Sequence, residues 1–171
     1  MGSKTKRIAL ISILTATAVA SRVVLAPLPN IKPVGFLSLL SGVIGGPVIG
    51  FLVGLLTMVV TDILFFGAGP WTFVTSFSMG IIGLLGSVFA MFNKTPSRYN
   101  LFVFTYFSIL FYDLFTSITM SYVFGTPVIT SIIMLFLPLP IPFGPAHEIT
   151  NALLASFLVP EVCSRIGRDV F

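Results

Sequence analysis

Charged residues are scarce in this sequence of 171 residues. They make up 8% of the chain, whereas soluble domains carry about a quarter. Hydrophobic residues account for 56%, and the mean hydropathy is +1.10. So little charge cannot cover the surface of a soluble domain, and the composition therefore predicts a protein of the lipid bilayer. Since each crossing helix needs roughly 20 apolar residues, the length fits about six crossings in one membrane domain.

Cysteine and histidine each occur once, as Cys163 and His147. A single cysteine excludes an internal disulfide and a thiolate metal cluster, and we expect Cys163 to pack against its neighbours. "HEITN" at 147–151 lacks the second histidine of the zinc-binding pattern H-E-x-x-H. The sequence therefore predicts no metal site, and we expect no cofactor.

The net charge of +4 is explained by membrane sidedness, and we expect no nucleic-acid partner. In a six-span topology, most basic residues fall on one side, and the positive-inside rule places that side, with both termini, in the cytoplasm. They are Lys4, Lys6, Arg7, Lys94, Arg98, Arg165 and Arg168. Only Arg22 and Lys32 lie towards the outside.

Six apolar segments are predicted to cross the bilayer as helices, because lipid-exposed backbone must be hydrogen-bonded internally and these segments lack the alternation of a barrel. They cover about 8–26, 34–46, 47–66, 71–92, 101–122 and 146–163. The basic start "MGSKTKR" could begin a secretory signal, but the apolar run continues past the arguable cleavage sites, so we interpret it as a retained first span.

A long external loop is predicted over residues 123–145. Its apolar core of about eleven residues is too short to cross the bilayer. A seventh span would also place one basic end of the chain on the wrong side. We expect a re-entrant or interfacial helix in this loop, ended by the prolines of "LPLPIPFGP".

Ionisable residues near the outer surface are the first candidates for a site. A charged side chain deep in a bilayer costs ~3 kcal/mol, so such groups are usually paired or line a cavity. Arg22 and Asp62 lie at similar depths, which predicts a structural ion pair between spans one and three, with a place in a pocket as the alternative. For Asp113 we expect a cavity wall, with a hydrogen bond to a neighbouring Tyr or Thr as the alternative.

Two further groups of polar residues join them on the outer side. His147 and Asn151 are four residues apart, hence on one helix face, and are expected to line a pocket. Glu148 beside them is explained by the positive end of the helix dipole at a helix start. Trp71 and Thr72 follow the turn "GAGP". An indole there is most often an interfacial anchor, yet an aromatic plate beside glycines would also suit a flat ligand.

Several features together resemble the substrate-binding S components of energy-coupling factor (ECF) vitamin transporters. They are the basic N-terminus, Ala16 and Ala20 spaced by four in span one, the loop "PLPNIKPVGF", the hairpin "GVIGGPVIGFLVG" and the acid of "TDIL". The resemblance extends from about residue 7 to residue 163. It implies a multi-pass protein of the cell membrane that captures a vitamin or related micronutrient from outside and is not an enzyme.

The resemblance also implies partners and roles. An S component works with a transmembrane T subunit and two cytoplasmic ATPases, and the absence of a Walker A pattern here agrees with ATP hydrolysis by partners. Ala16 and Ala20 match the family's contact with the T subunit. The loop 27–36 occupies the position of a lid, in which Asn30 and Lys32 would bond a polar ligand edge while the prolines limit the entropy lost on closure.

Ligand identity is open at this point. "LPNIKPV" with "FFGAGPWT" is similar to the pattern of cobalamin-type S components, which slightly favours a corrinoid. A flavin, thiamine, or a pterin-like or purine-like compound stays open.

Two alternatives from other classes have less support. An intramembrane enzyme acting on a lipid or isoprenoid would need a nucleophile with its base or an acidic metal motif. Five scattered acids and one histidine provide neither. A self-sufficient secondary transporter commonly shows internal repeats with broken helices, and no clear repeat relates the two halves.

Overall fold

The computed structural model describes residues 3–28, 30–93, 97–136 and 143–166, and every regular element in these ranges is a helix. The helices are α1 Ser3–Val24, α2 Val34–Gly45, α3 Pro47–Thr61, α4 Pro70–Phe92, α5 Arg98–Phe124, α6 Val128–Phe136 and α7 Phe143–Ile166. A π-helical segment, Asp62–Phe66, continues α3. The predicted all-helical class is confirmed.

Within the described residues, five helical stretches are long and apolar enough to cross a membrane: Lys4–Val24, Pro47–Phe66, Pro70–Phe92, Arg98–Phe124 and Pro145–Ile166. The sixth predicted span, α2, has only 12 residues, which is ~18 Å at 1.5 Å per residue and less than the ~30 Å hydrocarbon layer. Its residues from Val34 to Ile44 are all buried, so protein surrounds it and its length need not match the bilayer. Six crossings and cytoplasmic termini stay predictions.

The centre of the molecule is a tightly packed unit of α2, α3 and α4. Glycines let these helices approach until their backbones touch. A Cβ atom on Gly42 would overlap the carbonyl oxygen of Gly83, and one on Gly83 would overlap the carbonyl oxygen of Gly50. The turn between α2 and α3 uses Gly46 at φ +83° and Pro47 in the first turn of α3, where a missing N–H costs nothing.

The other helices are arranged around this unit. Helix α1 packs on α3 and α2 but keeps most of its surface exposed. Helices α5 and α7 pack against each other, and α7 also reaches α2. Cys163 is partly buried against the core.

The predicted loop 123–145 contains the nine-residue helix α6, none of whose residues is buried. The prolines expected to end this helix, at positions 138, 140 and 142, lie outside the described residues. Helix α7 begins at Phe143, earlier than the predicted residue 146. The reason is that proline is tolerated in the first turn of a helix, so Pro145 does not delay the start.

Gly83→Ala is expected to destabilise the protein by about 3 kcal/mol, because the added methyl group meets backbone that no side-chain rotation can clear. The midpoint of thermal unfolding in detergent should fall by several degrees. The control is Met91→Ala on the same helix, where the side chain is exposed and little change is expected. An unfolding midpoint equal to that of the unmodified protein would contradict the close approach of α3 and α4.

Candidate functional site

An ion pair between Arg22 and Asp62 ties α1 to the end of α3. Nη1 of Arg22 lies 2.8 Å from Oδ1 of Asp62. Asp62 is only 1% exposed. The same nitrogen donates to Oγ1 of Thr61, and the guanidinium carbon lies 4.9 Å from the ring centre of Phe66. Asp62 opens the π-helical segment, and single π turns of this kind are frequent at functional sites.

Thr72 extends this network to α4. Its hydroxyl donates to Oδ2 of Asp62 at 2.9 Å and accepts the N–H of Gly69 at 3.2 Å. Both carboxylate oxygens of Asp62 are thereby satisfied, one by α1 and one by α4. Thr72 is thus a positioning residue that fixes the orientation of the Asp62 carboxylate.

Asp113 of α5 is paired with His147 of α7. Nδ1 of His147 lies 2.9 and 3.1 Å from the two carboxylate oxygens of Asp113. Against an ionised carboxylate, which only accepts hydrogen bonds, Nδ1 of His147 is the donor. The ring of Tyr112 meets the imidazole edge to face, with centroids 6.0 Å apart. This partner, 34 residues away in the chain, stands where the alternative interpretation placed a neighbouring Tyr or Thr.

Asn151 fastens the loop before α2 to α7. Its Oδ1 accepts the N–H of Phe36 at 2.7 Å, and its Nδ2 donates to the carbonyls of Lys32 at 3.0 Å and His147 at 2.8 Å. Phe36 lies in the first turn of α2, where backbone N–H groups have no partner within the helix. Asn151 therefore caps α2 from another helix, with all of its polar atoms engaged.

The loop itself brings two polar side chains inward. Asn30 has φ +56°, in the left-handed region that asparagine tolerates better than most residues. Lys32 is partly buried. Burial lowers the pKa of its ammonium group below the ordinary value, and the charge of Arg22 lowers this pKa further.

These elements enclose a cavity of about 210 Å³. Its walls come from α1, the loop, α2, α3, α4, α5 and α7. The lining residues are Arg22, Asn30, Lys32, Val34, Met58, Thr75, Met79, Tyr112, Asp113, Thr116 and His147. The lining thus combines hydrogen-bonding groups with thioethers and an aromatic ring, a combination typical of small-molecule sites.

The predicted candidates at the cavity divide into two groups by position. Arg22, Asn30, Lys32, Asp113 and His147 line the cavity. Asp62, Thr72 and Asn151 lie behind its wall and hold the lining residues in place.

Trp71 is not among the lining residues. It is 37% exposed and stacks on Phe124, with centroids 6.4 Å apart.

Ala16 and Ala20 lie elsewhere, exposed on α1. They line a separate apolar groove of about 600 Å³ between α1 and the α3 side of the bundle. The groove is lined by Ile11, Ser12, Thr15, Ala16, Val19, Ala20, Val23, Val24, Leu56, Val60 and Phe65.

The sequence does not single out several lining residues, because apolar and hydroxyl side chains are common in membrane helices. Thr75 and Met79 are four apart on α4, and Tyr112 and Thr116 are four apart on α5. That spacing places each pair on one helix face, but only the packing shows which face meets the cavity.

The position of Glu148 in α7 does not agree with its predicted role at the start of a helix. It lies in the second turn of α7, and the first turn contains no acid. The helix dipole acts within the first turn, so the helix-start explanation of Glu148 is wrong.

Comparison with known proteins places the chain in one family. A family model described as "ECF-type riboflavin transporter, S component" matches residues 2–159. No curated protein and no solved structure matches the chain.

Asn151→Leu is expected to free the loop, because it leaves the N–H of Phe36 and the carbonyl of Lys32 without partners, at about 1–3 kcal/mol each. Hydrogen–deuterium exchange at the Phe36 amide should accelerate, and the unfolding midpoint should fall. Thr150→Val is the control, since that hydroxyl bonds only to carbonyls of its own helix. Equal exchange at Phe36 in the Asn151 variant and the unmodified protein would show that Asn151 does not hold the loop.

Proposed function

Because the chain belongs to the ECF-type riboflavin transporter S component family, we propose that it captures riboflavin from outside the cell in the 210 Å³ cavity. The predicted recognition as an S component is confirmed. The chain is a substrate-binding subunit of a vitamin transporter, located in the cell membrane, and not an enzyme. The lipid-modifying enzyme and the self-sufficient transporter are not favoured.

The observation that carries the proposal is the convergence of donors, acceptors and apolar side chains in one cavity. Riboflavin joins a flat three-ring system to a hydroxylated chain. Met58, Met79 and Tyr112 offer surfaces for the rings, since thioethers and aromatic rings pack well on aromatic systems. Asn30, Lys32, Thr75, Thr116 and His147 can bond the pyrimidine edge and the hydroxyl groups.

The preference for a cobalamin-type ligand finds no support. The matching family is described by riboflavin, and the cavity of about 210 Å³ is smaller than the ~300–1,000 Å³ of sites for drug-sized ligands. A corrinoid is far larger than a flavin and would need much more additional space, so the small cavity favours the flavin. We propose that the loop carrying Asn30 and Lys32 moves to admit the ligand and closes over it.

Saturable quenching of riboflavin fluorescence is expected on titration of the purified protein, and cobalamin should not compete. Lys32→Met should weaken riboflavin binding roughly 10- to 100-fold, because a hydrogen bond from a charged donor is worth about 1.5–3 kcal/mol. Lys6→Met, at the far basic end of α1, is the control and should bind normally. The proposal fails if riboflavin does not bind, or if both variants bind it equally well.

S components work with a T subunit and ATPases, and we propose that the groove on α1 receives the T subunit. Ala16 and Ala20 are exposed there, and small side chains allow helices to approach closely in lipid. The groove does not overlap the cavity: the two sets of lining residues share no member. Partner contact and ligand capture can therefore be altered separately.

Replacing both Ala16 and Ala20 by Trp is expected to leave riboflavin affinity intact and to abolish riboflavin uptake by cells that contain the complete transporter. Bulky side chains would fill the groove without reaching the cavity. Thr17→Trp is the control, because Thr17 is exposed on α1 outside the groove and should allow uptake. Normal uptake by the double variant would show that this face is not the contact.

A further inference from the structure

Glu148 is a fully buried acid with no visible partner. Its residue is 0% exposed, and neither carboxyl oxygen has a hydrogen-bond partner among the described residues. By contrast, Asp62 and Asp113 each face a basic side chain. An isolated carboxylate buried away from water costs several kcal/mol, so a buried acid without a partner calls for an explanation.

The position of Glu148 connects it with the cavity. It follows His147 in the chain and precedes Asn151 by three residues, and both neighbours hold the cavity wall. With Ala152, Ala155 and Val159, it forms the buried face of α7. The contacts of this half of α7 are therefore the ones that a charge on Glu148 would disturb.

Among the described residues, no basic side chain is hydrogen-bonded or ion-paired with Glu148. Helix α5 contributes Asp113 and Tyr112, and α7 contributes His147, which is already paired with Asp113. Helices α2 and α6 contain no titratable side chain. Lys32, on the loop, lines the cavity, and Glu148 is not among the residues that line it. The carboxyl group therefore fits this enclosure as the neutral acid and not as an anion.

We propose that Glu148 is a proton-binding site of the cavity wall: the assembled cavity requires its neutral carboxylic acid, so ionisation of Glu148 and ligand capture oppose each other. An ionised carboxylate would need water, and because Glu148 is 0% exposed, water could reach it only if the buried face of α7 separated from the helices packed against it. That separation would break the His147–Asp113 pair and release the loop held by Asn151. The proton leaves to solvent, and no covalent bond to the ligand changes.

The direction of the pH effect follows from this opposition. At pH values low enough to protonate Glu148 in the ligand-free protein, the cavity is assembled and binding is tight. At higher pH, where Glu148 of the ligand-free protein is ionised, ligand binding must also drive the uptake of one proton. The affinity therefore falls by up to about tenfold for each pH unit. The inference rests on the proposed function in its choice of riboflavin as probe, but the proton site can be tested without a ligand.

The first experiment measures the Kd for riboflavin between about pH 5 and pH 9 for three proteins. The unmodified chain should bind more weakly as pH rises. Glu148→Gln, which keeps the shape and cannot ionise, should lose this part of the slope and retain the tight binding seen at low pH. Glu161→Gln is the matched control, since Glu161 is an exposed acid on the same helix, and it should follow the unmodified chain. An unchanged slope in Glu148→Gln would overturn the proposal.

The second experiment measures thermal unfolding without ligand over the same pH range. A group that is neutral in the folded protein contributes stability at low pH that is lost as pH rises, so the midpoint should fall more in the unmodified chain than in Glu148→Gln. Parallel curves would overturn the proton site. If riboflavin binds at no pH, but the unmodified chain and Glu148→Gln still differ in unfolding as expected, only the proposed ligand is overturned.

Infrared spectroscopy covers the case in which Glu148→Gln does not fold. The unmodified protein should show the carbonyl band of a protonated carboxylic acid at neutral pH. The band should disappear on alkalinisation, in parallel with the loss of riboflavin affinity. Absence of the band at neutral pH would overturn the proposal.

Discussion

Polar groups inside this bundle have to find partners within the protein, because neither lipid nor packed apolar side chains can hydrogen-bond them. Arg22 of α1 meets Asp62 after α3, and Asp113 of α5 meets His147 of α7. The partners are 40 and 34 positions apart in the chain. Each pair forms only when both helices have the right depth and rotation. The polar contacts thus specify where the outer helices lie on the glycine-packed unit of α2, α3 and α4, and the cavity is the space that this arrangement leaves.

Glu148 departs from this pairing, and the departure is informative. In a buried ion pair, the attraction between the two charges is roughly balanced by the cost of removing them from water. One partner buried without the other costs about 3–5 kcal/mol. The other acids in the described ranges, Asp62, Asp113 and Glu161, each have an ion-pair partner. A neutral acid avoids most of the cost of an isolated charge, so the folded arrangement of α7 depends on a proton bound to Glu148. His147 and Asn151 on the same helix connect this dependence to the cavity.

Much of the fold was predictable because apolar run length is a local property that can be compared with bilayer thickness. The start of α7 was not, since proline in a first turn is compatible with either a helix or a preceding loop, and the role of Glu148 changed with it. In the candidate site, Lys32 and Asn30 were predictable as polar residues in a rigid loop. Tyr112 and Thr116 were not, because nothing local distinguishes a hydroxyl on the cavity side of a helix from one that faces a neighbouring helix. The ligand preference drawn from "LPNIKPV" and "FFGAGPWT" had no support, because loop residues do not report cavity size.

The sequence by itself determined the membrane environment, the helical class and the kinship with ECF S components, since these depend on composition, run length and short patterns along the chain. Only the tertiary structure decided that His147 partners Asp113, that Asn151 caps α2 instead of lining the cavity, and that Trp71 lies outside it. Such outcomes depend on the rotation and depth of helices distant in sequence. Those quantities come from packing, which single-chain periodicity does not contain.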